Sequence, residues 1–213
     1  MKYEKIKLGK NNHIDNTAIL GYPCNRKIGN KTLTLGNNAT VRTGSTIYVG
    51  NRIGKNFETG HNVVIREQNK IGNDFSIWNN STVDYGCKIG NNVKIHCNCY
   101  IAQFTELEDD VFLAPGVTFA NDIHPGCPNS RKCMKGPHIE KGVQIGVNVT
   151  VLPYVRIGKH SLIGGGSVVT SDIPPYSVAY GSPARVHKNI SDLKCTTGYS
   201  KSPYSFIKKE NKK

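Results

Sequence analysis

The chain has 213 residues, 37% hydrophobic and only 8% aromatic, and its formal net charge is +13. That is too few large side chains for a thick globular core, and no run of about 18 apolar residues exists to make a membrane-spanning helix. The charge is uneven, with eight Lys and Arg against two acids in residues 185–213. A basic field attracts polyanions, but aromatics do not interleave with the arginines as a nucleic-acid groove requires, so neither nucleic acid nor a membrane is expected as a partner.

The opening stretch MKYEKIKLGKNN is charged and lacks the apolar centre of a secretory leader, which leads us to expect a cytoplasmic protein. Residues 1–34 hold faint echoes of a repeat, such as Ile28-Gly29-Asn30, and read as an irregular lead-in coil. From Leu35 the pattern is strict. An aliphatic residue returns every sixth position through Val41, Ile47, Ile53, Ile65, Ile71, Ile77, Val83, Ile89, Ile95, Ile101, Leu107 and Leu113, broken only by Thr59 and by Phe119 at the end. A six-residue period predicts a parallel β-helix, in which three short strands make one triangular coil and residues 18 apart stack. Such a solenoid fills a thin apolar column and needs few large side chains. Cys87 and Cys99 fall four places after an anchor, where a small residue faces inward. They read as buried hydrophobes in a reducing compartment.

The period then breaks. Residues 120–138, ANDIHPGCPNSRKCMKGPH, are rich in Pro, Gly and polar side chains and read as a loop. The next anchor is due at position 125 but arrives at Ile139, so 14 extra residues leave one corner and return to it. A long loop on a rigid scaffold is the natural place for function. Its His124, Cys127 and Cys133, with His138, make four possible zinc ligands, but the spacing is not that of a zinc knuckle and no metal is expected. The repeat resumes from Ile139 to Val169, proline turns close a β-helix domain spanning 35–187, and 188–213 is a basic C-terminal tail that begins as a short helix.

Units such as Ile53-Gly54-Lys55-Asn56, Ile89-Gly90-Asn91-Asn92 and Ile145-Gly146-Val147-Asn148 resemble those of the left-handed parallel β-helix, or hexapeptide-repeat, acyltransferase superfamily. Three further stretches are similar to the N-acetyltransferases of nucleotide-linked amino sugars: Leu107-Glu108-Asp109-Asp110-Val111-Phe112, Val117-Thr118-Phe119-Ala120-Asn121-Asp122-Ile123-His124-Pro125, and Gly181-Ser182-Pro183-Ala184-Arg185. The resemblance implies an all-β solenoid, a homotrimer, and acetyl-CoA and a nucleotide-linked amino sugar meeting between subunits, for surface polysaccharide synthesis. By the same resemblance Asp122 faces the sugar amine, with Asn121 beside it.

Acetyl transfer to an amine needs a proton removed, the thioester held and donors for the developing oxyanion. One place after the second-column anchors come Gly60, Trp78, His96 and Ala114, and three places after come Asn62, Asn80, Asn98 and Gly116. Trp78, His96 and Asn98 thus share one region, and His96 is the first choice as base because imidazole titrates near neutrality. Trp78, Asn98, Gln103 and His124 are expected to bind substrate. Gln103 departs from the family, some members of which have an acidic residue or a histidine there, and an amide cannot take the proton. For the cofactor, the resumed repeat is expected to form a wall for pantetheine, with Gly146, Gly164 and Gly165 allowing close approach and Lys159 and Arg185 meeting the phosphates. The rival readings are a sugar O-acetyltransferase with a histidine base, a γ-carbonic-anhydrase-like zinc enzyme and a non-catalytic solenoid.

Overall fold

The structure is a computed structural model that describes residues 5–207; the first four residues of the lead-in coil and the last six of the basic tail lie outside it. Almost every strand is two residues long, and the strands stack in three parallel sheets. Chain order cycles through them: Arg52–Ile53 lies in the first sheet, Glu58–Thr59 in the second, Val64–Ile65 in the third, and Lys70–Ile71 returns to the first. The partner of Ile53 is Ile71, 18 residues on, as the period requires. This is the left-handed parallel β-helix expected from the repeat.

Every anchor from Leu35 to Phe119, Thr59 included, is at most 6% exposed, and so is every anchor from Ile139 to Val169. Each strand contributes one inward side chain because successive residues alternate across a strand. At this spacing the apolar column is continuous. Phe57 and Phe75 lie within it as stacked rings 5.7 Å apart. Cys87 and Cys99 are buried as expected. Burial pushes their thiols up to about 12 and about 11 respectively, so both stay protonated at neutral pH.

The corners explain the asparagines. The third residue after most anchors turns left-handed, with φ of 53–60° at Asn38, Asn56, Asn62, Asn80, Asn92, Asn98 and Asn148. Asparagine and aspartate enter this region more readily than other residues with a side chain. Where glycine follows an anchor, the next coil lies close above: a Cβ on Gly72 would come within 2.6 Å of the Gly90 carbonyl oxygen.

Two excursions leave this regular frame, both at the corner between the third and first sheets. The lead-in is itself a coil, with Ile6–Leu8, His13–Ile14 and Ile19–Tyr22 in the first, second and third sheets. Its register to the next coil is 27 residues, with Ile6 beside Leu33, so nine residues beyond the usual 18 bulge out between Tyr22 and Leu33. The second excursion is the 120–138 loop. Glu106 pairs with His138, 32 residues on, which matches the expected 14 extra residues, and Ser130–Cys133 form one helical turn within it. The far end is closed by a hairpin of Ser177–Gly181 and Ala184–Asn189 rather than by proline turns alone, and the short helix expected in the tail is a single 3-10 turn, Ile190–Asp192. No helix among the described residues is long and apolar enough to cross a membrane.

Candidate functional site

The residues expected to form one site lie at two corners. Trp78, His96, Ala114, Gly146 and Gly164 each follow a strand of the second sheet, so they run in a line along the corner between the second and third sheets. Trp78 and His96 are half-buried and Asn98 is exposed. The His96 ring lies against Phe112, centroids 5.0 Å apart. Asn98 sits at φ 60°, which accounts for its identity without a ligand. Accordingly, Asn98→Gly should keep wild-type stability while Asn98→Val loses about 1–2 kcal/mol, read by urea unfolding; equal stability of the two would refute the backbone role.

The loop leaves from the next corner, one strand of the third sheet further along the chain, because Phe119 is a third-column anchor. Here Asn121 donates from Nδ2 to Oε1 of Gln103 at 2.6 Å, and Gln103 donates from Nε2 to Oδ2 of Asp84. Tyr100 donates its hydroxyl to the same Asp84 oxygen at 2.8 Å. Burial, then the bond and charge of Asp84, push the Tyr100 phenol up to about 12. Behind Asp84, Arg66 lies 3.7 Å from its other oxygen and 3.0 Å from Glu67, which is fully buried and also meets Arg26 at 3.2 Å. The Arg26 guanidinium lies 3.3 Å above the Tyr85 ring. Arg26 comes from the first excursion, so one polar cluster ties both excursions to the scaffold. Asp84, Arg66 and Glu67 were not singled out in the sequence. The available signal was the charge itself, since acids and an arginine in a strict repeat one or two places after third-column anchors are unusual.

Asp122, expected to face the sugar amine, bonds within its own loop. Its Oδ1 accepts from the His124 backbone amide at 3.0 Å and its Oδ2 from the Ser130 hydroxyl at 2.6 Å. The carboxylate closes an Asx turn at the start of the loop. His124 is exposed and has no side-chain partner among the described residues. His138, grouped with the loop cysteines in sequence, instead turns to Glu108 at 2.8 Å. No group of three or more His, Cys, Asp or Glu side chains able to hold a metal occurs among the described residues.

The expected cofactor residues also divide. Gly146 and Gly164 are required by stacking: a Cβ on Gly146 would lie 2.7 Å from the Gly165 amide, and one on Gly164 would lie 2.8 Å from Cβ of Tyr180. Arg185 pairs in register with Tyr180 in the closing hairpin, beyond Gly164 on the same line. Lys159 is at the opposite end of the second-sheet strands. Its amide donates to Glu140 and its ammonium lies 5.8 Å from the Tyr176 ring.

The two ends of those strands differ in one further respect. At the corner between the first and second sheets, side chains take the outward amides: Asn73 takes that of Lys55, Asn91 that of Asn73, Asp109 that of Asn91 and Glu108 that of Lys141. At the corner between the second and third sheets, Asp15 and Asn79 take the amides of Thr43 and His61 in the early coils, but in the resumed repeat the amides of Val147 and Gly165 have no acceptor among the described residues, and both residues are exposed. Exposed, unpaired amides along a line of small residues fit an extended amide-bearing chain such as pantetheine, which needs donors for its carbonyls. Arg185 is exposed at the end of the line.

Comparison with known proteins agrees with the repeat. A family model described as bacterial transferase hexapeptide (six repeats) matches residues 86–121 and 136–171, on either side of the loop. The galactoside O-acetyltransferase of Lactococcus lactis subsp. lactis (strain IL1403) is 46% identical over 86 residues, 38% of this chain and 42% of that protein. The galactoside O-acetyltransferase of Escherichia coli (strain K12) is 44% identical over 88 residues, 39% of this chain and 43% of that protein. The chain thus spans less than half the length of these relatives. The crystal structure of LpxA, a UDP-N-acetylglucosamine acyltransferase from Bacteroides fragilis 9343, superposes with a TM-score of 0.71 over 88% of this chain and 71% of that one, at 20% identity, a likeness of fold.

Proposed function

We propose that the chain is a member of the hexapeptide-repeat acyltransferase superfamily, and that it is an acetyl-CoA-dependent N-acetyltransferase acting on the amino group of a nucleotide-linked amino sugar, working as a homotrimer. The observation that carries the choice of an amine is the make-up of the corner where the loop begins. The side chains bonded there are Asn121, Gln103, Tyr100 and Asp84. None of them is an imidazole. The amides cannot take a proton, the phenol is pushed up, and the Asp84 carboxylate accepts from three donors, Tyr100, Gln103 and the Tyr85 amide. A neutral amine attacks the thioester carbonyl through its own lone pair, the C–N bond forms as the C–S bond breaks, and the departing thiolate takes the proton the nitrogen sheds, so positioning supplies most of the rate.

In this reading, pantetheine lies along the corner between the second and third sheets. The amides of Val147 and Gly165 bond its carbonyls and Arg185 meets a phosphate; the cofactor supplies the activated acetyl group. Trp78 offers a flat face to the nucleotide or sugar ring, and His96 and Asn98 line the same corner. Because the cofactor corner and the loop corner of one chain are separated by a strand, the acetyl group and the amine are brought together by the loop of a neighbouring subunit. The basic surface favours a substrate carrying phosphates.

Acetylation of a sugar hydroxyl is the second reading. It is favoured by the named activity of the relatives and by the exposed, unpartnered imidazole of His124, since a hydroxyl needs a general base. Release of free thiol from acetyl-CoA, followed against a panel of nucleotide-linked amino sugars and against galactosides, separates the two. Turnover of hydroxyl acceptors with none of any amine would overturn the N-acetyl reading.

A further inference from the structure

The polar chain at the loop corner has a direction. It begins at Asp84, 6% exposed, whose carboxylate has lone pairs and no hydrogen to give. Gln103 must therefore turn its NH2 group towards Asp84, which leaves its carbonyl oxygen facing outward. Asn121 must in turn donate its own NH2 group to that oxygen, as the 2.6 Å contact records. The Oδ1 atom of Asn121 is then the free end of the chain. Reversing any one amide would set two NH2 groups or two carbonyls against each other.

The geometry points to Asp84 as a positioning residue that, acting through Gln103, sets the polarity of Asn121, so that the loop begins with a carbonyl oxygen aimed to accept from an N–H group of the substrate. The inference deepens the amine reading and rests on it for the identity of the donor. The relay itself stands on the protein alone. An amide acceptor holds an amine through its hydrogens while leaving the nitrogen lone pair for attack.

The relay also has a mechanical consequence. The backbone carbonyl of Asn121 accepts from the Lys135 amide at 2.8 Å, so residues 121 and 135 close the base of the loop. Fixing the Asn121 side chain fixes this closure. Behind Asp84, Arg66 lies 3.7 Å from the other carboxylate oxygen and is itself held by the buried Glu67. Tyr100 shares the oxygen that receives Gln103, which leaves that oxygen no freedom to turn away.

Asp84→Asn tests the relay with little change of shape. Asparagine at this position can show either an oxygen or an NH2 group to Gln103, so the direction is lost. In the full-length protein we expect KM for the amine acceptor to rise about tenfold with kcat little changed, and hydrogen exchange of the Lys135 amide to quicken by about tenfold, the loss of one charge-assisted hydrogen bond. Gln103→Leu cuts the same chain one link further on and should reproduce both effects, which keeps the test available where Asp84→Asn fails to fold. Wild-type Lys135 exchange and wild-type KM in the folded variants would overturn the relay. A wild-type enzyme that acetylates only hydroxyls would end the amine reading, while Lys135 exchange would still decide the relay.

Discussion

Replacing Phe75 by alanine is expected to lower the unfolding free energy by about 3–5 kcal/mol, the range for a fully buried aromatic truncated in a close-packed core. Phe75 is 0% exposed and its ring is stacked on that of Phe57, with planes 9° apart. In a column one side chain wide, neighbours come only from the same coil and those directly above and below, so little can move in to fill the space. Phe75→Leu keeps most of the volume and should lose under about 1.5 kcal/mol. Urea unfolding of the two variants checks the claim. Equal, small losses would mean that the column relaxes freely around this position.

Histidine substitution is expected to separate the two acceptor chemistries. His124→Ala should lower acetylation of a hydroxyl about 10²–10⁴-fold, the contribution of a general base, and acetylation of an amine by less than about tenfold. The physical difference lies in the nucleophile. A hydroxyl must surrender its proton as it attacks, whereas an amine already holds a free lone pair. His124 is the better placed of the two candidate bases. It stands exposed on the loop, whereas His96 packs its ring on Phe112. Measuring kcat/KM for both acceptor classes in His124→Ala and His96→Ala gives the answer. An amine activity that falls as far as the hydroxyl activity would show that the amine also depends on that imidazole, and the argument from a base-free corner would fail.

Much of the architecture was legible because a six-residue period leaves little choice. Once Ile53, Ile71 and Ile89 recur at 18, their strands must stack, and the shift from Phe119 to Ile139 fixes both the length of the loop and the corner it leaves. The first coil was less legible. Ile6, Ile14 and Leu20 lie inside the sheets, but the nine-residue bulge before Leu33 breaks the period. The spacing aligns Asn62, Asn80 and Asn98, and some asparagines bond along the axis, as Asn38 does to Asn56 at 3.0 Å. Their more basic reason, the left-handed corner, has no signature in periodicity alone.

The candidate site was legible only in outline. Counting by sixes placed Gly60, Trp78, His96 and Ala114 above one another, and each follows a strand of the second sheet; that Gly146 and Gly164 continue this line comes from the structure. Counting could not show that Asp122 spends both oxygens on its own loop, or that Gln103 joins Asp84 to Asn121. By itself the sequence determined the solenoid, its columns and the position of the excursion, because these follow from spacing along the chain. Only the tertiary structure decided which corner keeps unpaired amides at Val147 and Gly165, and which way the amides of Gln103 and Asn121 face. Those depend on partners contributed by other coils, and a hydrogen bond is set by the direction of its donor and acceptor rather than by the distance between them in sequence.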